Sequence, residues 1–540
     1  MGTLQRLISR PRRSGNGVAL RVLSVLAIAA LIAGRGPTLT PLGAAAASSD
    51  TVRILIGAAS DLDPAVQGDI GSAAISAQLF EGLTAIDAQL QARPALAESW
   101  EFRDGGATVV FHLRSGIQFS DGSPIRAQDV VRSWLRIVDP AHPSPLVSLI
   151  GDVQGALDYS RGNGQRQAVG IAAEGNDVVV HLTRPATDFP TIVAGPTFAV
   201  VPPSLDPNGT GAAIIAPGAG FVGSGGYVLS DLTPQKTTLT ANDHYWAGVP
   251  AIRTVELVHD IGGRSSVAAF EDGDIDLATV SPFDATWLAY DDTLGPELRR
   301  TDGLSLQYYG FDTSKPPFDD VRVRQAFARA VDWRHLVGLA SSGTDLPATG
   351  MVPRGIPGRS ETDFLPAHDP AGARQLLADS GYPGGAGFPE TTLLGGGPTD
   401  RAFAAEIQRE LGITIHIEVQ GPGFFDRLAT DPPQIFAMGW VADYPGANDF
   451  LGILLGSGAS NNYGHWSSAA FDGAVAAALS APDATAARTA FDTAERIVSD
   501  EAPTIPLTYD VSWTLARTGL LGAYDNGMGI IRMAGLAWAR

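Results

Sequence analysis

Hydrophobic residues in this chain recur at two periods, 3.6 and 2, and the chain switches between them repeatedly. The clearest switch lies at 401–419. There RAFAAEIQRELG has helical spacing and stops at Gly412, and ITIHIEV then sets Ile413, Ile415, Ile417 and Val419 on one face of a strand. Further upstream, HDPAGARQLLADSGYPGG predicts a helix with Asp369 as N-cap, Pro370 in its first position and Gly381 at its stop. TVVFHL (108–113) predicts a half-buried strand, with Val109, Phe111 and Leu113 inward and Val110 and His112 outward. The helix after it is predicted to begin at Ser123 and Pro124 and to bury Val130, Trp134 and Ile137. Helices and strands that alternate in this way fold into layers of sheet and helix, so the fold class is α/β.

The first 49 residues depart from this pattern. They contain no acid; five arginines precede the apolar run Val22–Ala33, and a small-residue stretch follows it. That order describes an export signal over residues 1–47, with Ala45-x-Ala47 as the cleavage site. An uncleaved membrane anchor is the alternative. The run is shorter than the roughly 20 apolar residues of a comfortable membrane span. No cysteine is present, which excludes disulfides, thiolate metal sites, a cysteine nucleophile and a lipid anchor on an N-terminal cysteine. The expected product is a soluble monomer, periplasmic or extracellular.

With that segment gone, 31 basic residues face 57 acidic ones, a balance that repels nucleic acid and anionic lipid. Chemistry-bearing motifs are scarce. GAGFVG (218–223) matches a dinucleotide pattern but precedes SGGYVLSD, which reads as a turn entering a strand, not a helix. The nine histidines are dispersed, and no metal or cofactor site is expected; His465, in NNYGHW, is the one in a plausible pocket loop. Asp319-Asp320 reads as a helix cap. No catalytic residue is assigned.

GWVADYPG (439–446) is the exception, because it sets Asp443 in apolar and aromatic company. From the residues alone two readings stay open: an internal salt bridge or cap, or a carboxylate kept for a cationic ligand.

PALAESWEFRDGGATVVFHLRSGIQFSDGSPIRAQDVVRSWLRIVDP (94–140) resembles a block of the family 5 extracellular solute-binding proteins, the oligopeptide-binding proteins of ABC importers. GSGGYVL (223–229), NDHYWAG (242–248), KPPFDDVRVRQAFARAVDWRHLV (315–337) and DEAPTIPLTY (500–509) extend the resemblance over most of the chain. It implies a two-lobed periplasmic-binding-protein fold with an extra third domain. Lobe I would comprise 50–92, 221–310 and 512–540, the extra domain 93–220 and lobe II 311–511. It also implies a function, the capture of short peptides for a membrane permease and its ATPases.

By the same resemblance Asp443 takes the peptide ammonium, Gly439 and Val441 make backbone contacts, and Trp440 and Tyr444 form the local wall. Gln67–Ile70 would line the other side, and Tyr509 is a further lining candidate. The arginine that some members carry six residues before this aspartate is Ala437 here, which removes one means of holding a peptide carboxylate. Relatives of the same fold bind nickel chelates, sugars, opines or haem, and a peptide-signal receptor would use the same closure.

Overall fold

The computed structural model describes residues 50–142, 144–205, 220–340, 345–421, 423–481 and 483–539. The predicted export segment, 1–47, lies outside them, as do the first two residues of the glycine-rich stretch at 218–223.

Three sheets organise the chain. A seven-stranded sheet runs in the order Leu298–Asp302, Val511–Ala516, Leu277–Val280, Thr51–Leu55, Thr254–Val258, Lys236–Ala241 and Tyr227–Leu232. A six-stranded sheet runs Leu346–Pro347, Thr504–Tyr509, Ser305–Phe311, Ile435–Val441, Thr391–Gly395 and Ile415–Val419. A four-stranded antiparallel sheet, Ala97–Arg103, Thr108–Leu113, Asp177–His181 and Ile171–Glu174, lies between the first and second segments of the seven-stranded one in sequence.

The chain crosses between the two large sheets at two places, and these are neighbours. Asp302 pairs with Val511 in one sheet, and Gln307 pairs with Thr508 in the other. Asp510 bolts the crossing. Its carbonyl accepts from the Gly303 N–H, and its carboxylate accepts from Ser305 Oγ at 2.9 Å and Gln307 Nε2 at 3.0 Å. This corrects two predicted boundaries, one of them because Val511, expected to close lobe II, pairs in the seven-stranded sheet. Lobe I was expected to run to 310, but Ser305–Phe311 pairs along its whole length with Ile435–Val441 in the six-stranded sheet. The chain turns at Gly303, well before 310.

Local signals placed most elements. Pro370–Asp379 is capped by Asp369, whose carboxylate accepts from the Gly372 N–H, and Gly381 has a positive φ just past its end. Pro398–Leu411 stops at left-handed Gly412, and Asp320 caps Val321–Ala330. After 221–226 the chain enters the strand Tyr227–Leu232, as the sequence indicated.

Three details differ. The helix predicted from Ser123 is Ala127–Ile137, because residues 117–119 and 123–125 hydrogen bond to each other first and Asp129 then caps the Arg126 N–H. Val110 is as buried as Val109, since Thr108–Leu113 is an inner strand covered on both faces. Val419 is exposed because it ends an edge strand.

Candidate functional site

A cavity of about 840 Å³ is lined from both large sheets. One wall follows the strand Thr51–Leu55 and includes Ser60, Gln67 and Asp69–Gly71. The opposite wall is Met438–Asp443, and Leu149, Gly195 and Thr197 close a side. Most of the lining is aliphatic, aromatic, alanine or glycine, so the few polar groups on it decide orientation.

The strand Ile435–Val441 has an incomplete edge. Ser305–Phe311 pairs with all seven of its residues, but on its other side only Ile435 and Phe436 meet a strand, through Leu393 and Leu394. The neighbour ends because LLGGGPTD turns into a helix. Asp400 accepts from the N–H groups of Gly396 and Gly397 and so draws the chain away from the sheet into Pro398–Leu411. From Ala437 to Val441 no strand lies along that edge among the described residues; Gln420 Nε2 donates to the Ala437 carbonyl. An edge of this kind is a template for one more strand.

Asp443 stands just beyond. Its backbone N–H and Trp440 Nε1 both donate to Asp449 Oδ2, each at 3.1 Å. Asp449 is fully buried. Asp443 Oδ2 is shut off from solvent and has no hydrogen-bond partner, and no base pairs with either carboxylate among the described residues. Burial pushes the Asp443 carboxyl up to about 7. Asp449 is raised as well, first by burial and then by repulsion from Asp443. A cation placed at Asp443 would relieve both.

The other charges on the wall are already engaged. Buried Glu81 accepts from Arg532 Nη2 at 2.9 Å on both oxygens and from the Tyr245 hydroxyl. Burial raises the Asp69 carboxyl, but Ser60, Ser72 and the Ser72 N–H outweigh it and hold it below its ordinary value. Arg532 is the one base on the described wall. Asn461 is 5% exposed and lines the cavity, yet its Nδ2 donates to nothing.

The model of the bacterial extracellular solute-binding proteins, family 5 (middle portion), matches residues 91–462. The chain belongs to this family. It is 32% identical over 465 residues to the probable deoxycholate-binding periplasmic protein YgiS of Escherichia coli K12, covering 83% of this chain and 85% of that one. It is 28% identical to the periplasmic oligopeptide-binding protein OppA of the same strain, over 87% and 90% of the two chains. The E. coli murein tripeptide-binding protein MppA superposes with a TM-score of 0.80 at 25% identity, over 91% of this chain and 98% of that one. This family 5 member therefore has the two-lobed α/β fold with an extra third domain. No helix among its described residues is long and apolar enough to cross a membrane.

Of the residues singled out in the sequence, the fold brings Asp443, Gly439, Trp440, Val441, Gln67 and Ile70 to the cavity wall. It places three elsewhere. Tyr444 is buried in the core, its hydroxyl accepting from Asn448 Nδ2, because the turn after Asp443 points it away from the cavity. Tyr509 is buried as well, donating to the Gly350 carbonyl from inside the sheet. His465 is half exposed, has a positive φ, and lies 3.6 Å from Asp312 off the wall. The sequence does not single out Asn461, Glu81 or Arg532. The one sequence signal was the polar pair Asn461-Asn462, whereas Glu81 and Arg532 stand 451 positions apart and nothing local joins them.

Proposed function

We propose that this chain is an exported binding protein that captures oligopeptides between its lobes and delivers them to an ABC importer. One observation carries the reading. Asp443, with an oxygen that has no partner, ends a strand edge that faces the cavity and is uncovered from Ala437 to Val441. An extended peptide laid on that edge satisfies its own N–H and C=O groups there and places its α-ammonium at Asp443. Gly439 and Val441 supply backbone contacts and Trp440 a wall, with Gln67 and Ile70 opposite. Recognition of this kind reads the main chain, so it tolerates many side chains.

The lobes close on the ligand because the closed form binds it better. The first lobe comprises 50–92, 221–302 and 511–540, the second 305–509, and 93–220 is the extra domain. Residues 1–47 direct export to the periplasm or the extracellular space, where the chain acts as a monomer. It carries out no catalysis, and ATP hydrolysis belongs to the transporter. OppA and MppA, both named for peptides, support the reading.

The largely apolar wall favours one alternative, an amphipathic non-peptide solute, and YgiS is named for deoxycholate. Charge argues against an anion of that type: Asp69 and Asp443 have no base beside them, and Arg532 already holds Glu81.

Native mass spectrometry of the mature chain tests this. A ladder of added masses matching short peptides, lost in Asp443→Ala, is the expected result. A single non-peptide mass, or peptides retained unchanged in the variant, overturns it.

A further inference from the structure

Outside the cavity, the short helix Pro282–Leu288 turns the usual arrangement around. Its inner face is Ala285 and Leu288, both buried, and its outer face presents Phe283 at 77%, Trp287 at 43% and, two residues past its end, Tyr290 at 88% exposure. The positions 283, 287 and 290 fall on one side of a helix. Three large aromatics side by side in water cost solubility and contribute nothing to the core, so such a patch marks an interaction surface.

The patch has a defined place in the fold. The strand that feeds the helix, Leu277–Val280, runs parallel to Thr51–Leu55, and the chain leaving Thr51–Leu55 enters the cavity wall at Gly57, Ala58 and Ser60. The aromatics therefore leave the seven-stranded sheet at the same end as the cavity, without lining it.

Charge selects the occupant. Between Ser281 and Glu297 the sequence has four acids and no base. Glu297 pairs with Arg517, but Asp284, Asp291 and Asp292 meet no base among the described residues. Two backbone N–H groups, from Leu294 and Thr293, hold the Asp291 carboxyl below its ordinary value, so it stays ionised. The bases that the packing of this helix on Val511–Ala516 brings nearest are engaged: Arg299 donates to the Ala523 carbonyl, and Arg300 pairs with Asp302 and lies over Trp513. A second copy docked symmetrically would set these acids against themselves, and anionic lipid would be repelled. A basic protein surface with apolar pockets fits.

We propose that Phe283, Trp287 and Tyr290, ringed by Asp284, Asp291 and Asp292, dock this protein on a basic extracytoplasmic surface of its membrane permease. This rests on the importer reading above.

The test is photo-crosslinking in the producing bacterium, with benzoylphenylalanine at Tyr290 of the full-length chain and adducts identified by mass spectrometry. The expected adduct is an ABC permease subunit. With the photo-probe moved to Phe283, Trp287→Ala/Tyr290→Ala lowers its yield about tenfold or more, as for hot-spot aromatics. Asp284→Asn/Asp291→Asn/Asp292→Asn, which keeps the aromatics, lowers it too. The three aromatics and Asp292 are exposed and Asp284 and Asp291 are partly so, and equal melting temperatures verify folding. An adduct to a second copy, to lipid alone or to a protein other than a permease overturns the proposal, as does the absence of any adduct. The two readings fail separately. A permease adduct with a non-peptide mass in the cavity leaves the interface standing and removes the peptide assignment. Peptides without a permease adduct do the reverse.

Discussion

The backbone N–H of Asp443 donates to Asp449 Oδ2 at 3.1 Å, where neither carboxylate meets a base among the described residues. The pair is a poor arrangement by itself. Two carboxylates share a desolvated site, and one oxygen of each, Asp443 Oδ2 and Asp449 Oδ1, is left without a partner. The proposed peptide ammonium would supply what is missing, and the consequences are measurable.

Asp443→Asn keeps the shape and removes the charge. Loss of one partner from a desolvated ion pair costs roughly 2–5 kcal/mol, or about 30-fold to several thousand-fold in affinity. Calorimetry with tri-alanine should show that loss. N-acetyl-tri-alanine should bind the unaltered protein as weakly as tri-alanine binds the variant. Equal binding of the acetylated peptide by the unaltered protein would remove the ammonium role.

The same carboxylate makes binding depend on pH. Burial raises its pKa from 3.8 to about 7 in the folded protein, so its proton is held there and lost only near neutrality. Stability from this group is fully present below pH 3.8 and is lost as pH rises through about 7; Glu495, also raised to about 7 by burial, acts with the same sign. The ligand-free melting temperature should therefore fall from pH 5 to pH 8. Bound ammonium favours the ionised form, so peptide affinity should rise over that interval. Binding at pH 6 should release protons, seen as heats that vary with the buffer. In Asp443→Asn affinity should be flat with pH.

Asn461 offers a donor with no acceptor. If a peptide carbonyl receives it, Asn461→Ala lowers tri-alanine affinity by about 0.5–1.5 kcal/mol, roughly two- to tenfold, and leaves the melting temperature unchanged. A variant that binds tri-alanine as well as the unaltered protein assigns the donor to something other than the ligand.

The wall also depends on one glycine behind it. Gly310 faces Phe436 across the strand pair, and a Cβ there would lie 2.2 Å from the ring. Gly310→Ala must push that ring off its place under the strand carrying the site, an overpacking cost of about 1–3 kcal/mol. Urea unfolding followed by fluorescence should show a lower midpoint; an unchanged midpoint would mean the ring moves freely.

How far the sequence reached can be judged residue by residue. Asp369, Pro370, Gly381 and Gly412 placed helix ends because a cap acts over three or four residues, and the period of the apolar pattern distinguished strand from helix. Ser123 misled for a related reason: its stretch found a partner in 117–119 before it could start a helix. Resemblance over the length of the chain pointed to the family and to Asp443, but it could not tell which aromatics line the cavity. Tyr444 and Tyr509 are as aromatic as any wall residue, and only packing turned them inward. Local order along the chain thus determined the α/β elements and singled out the candidate carboxylate. The tertiary structure decided where the neighbouring strand leaves Ile435–Val441, that Arg532 is already held by Glu81, and that no base reaches Asp443 among the described residues. Those outcomes depend on groups hundreds of positions apart. The cost of an unpaired buried charge is set by everything that surrounds it, and a sequence lists only its neighbours along the chain.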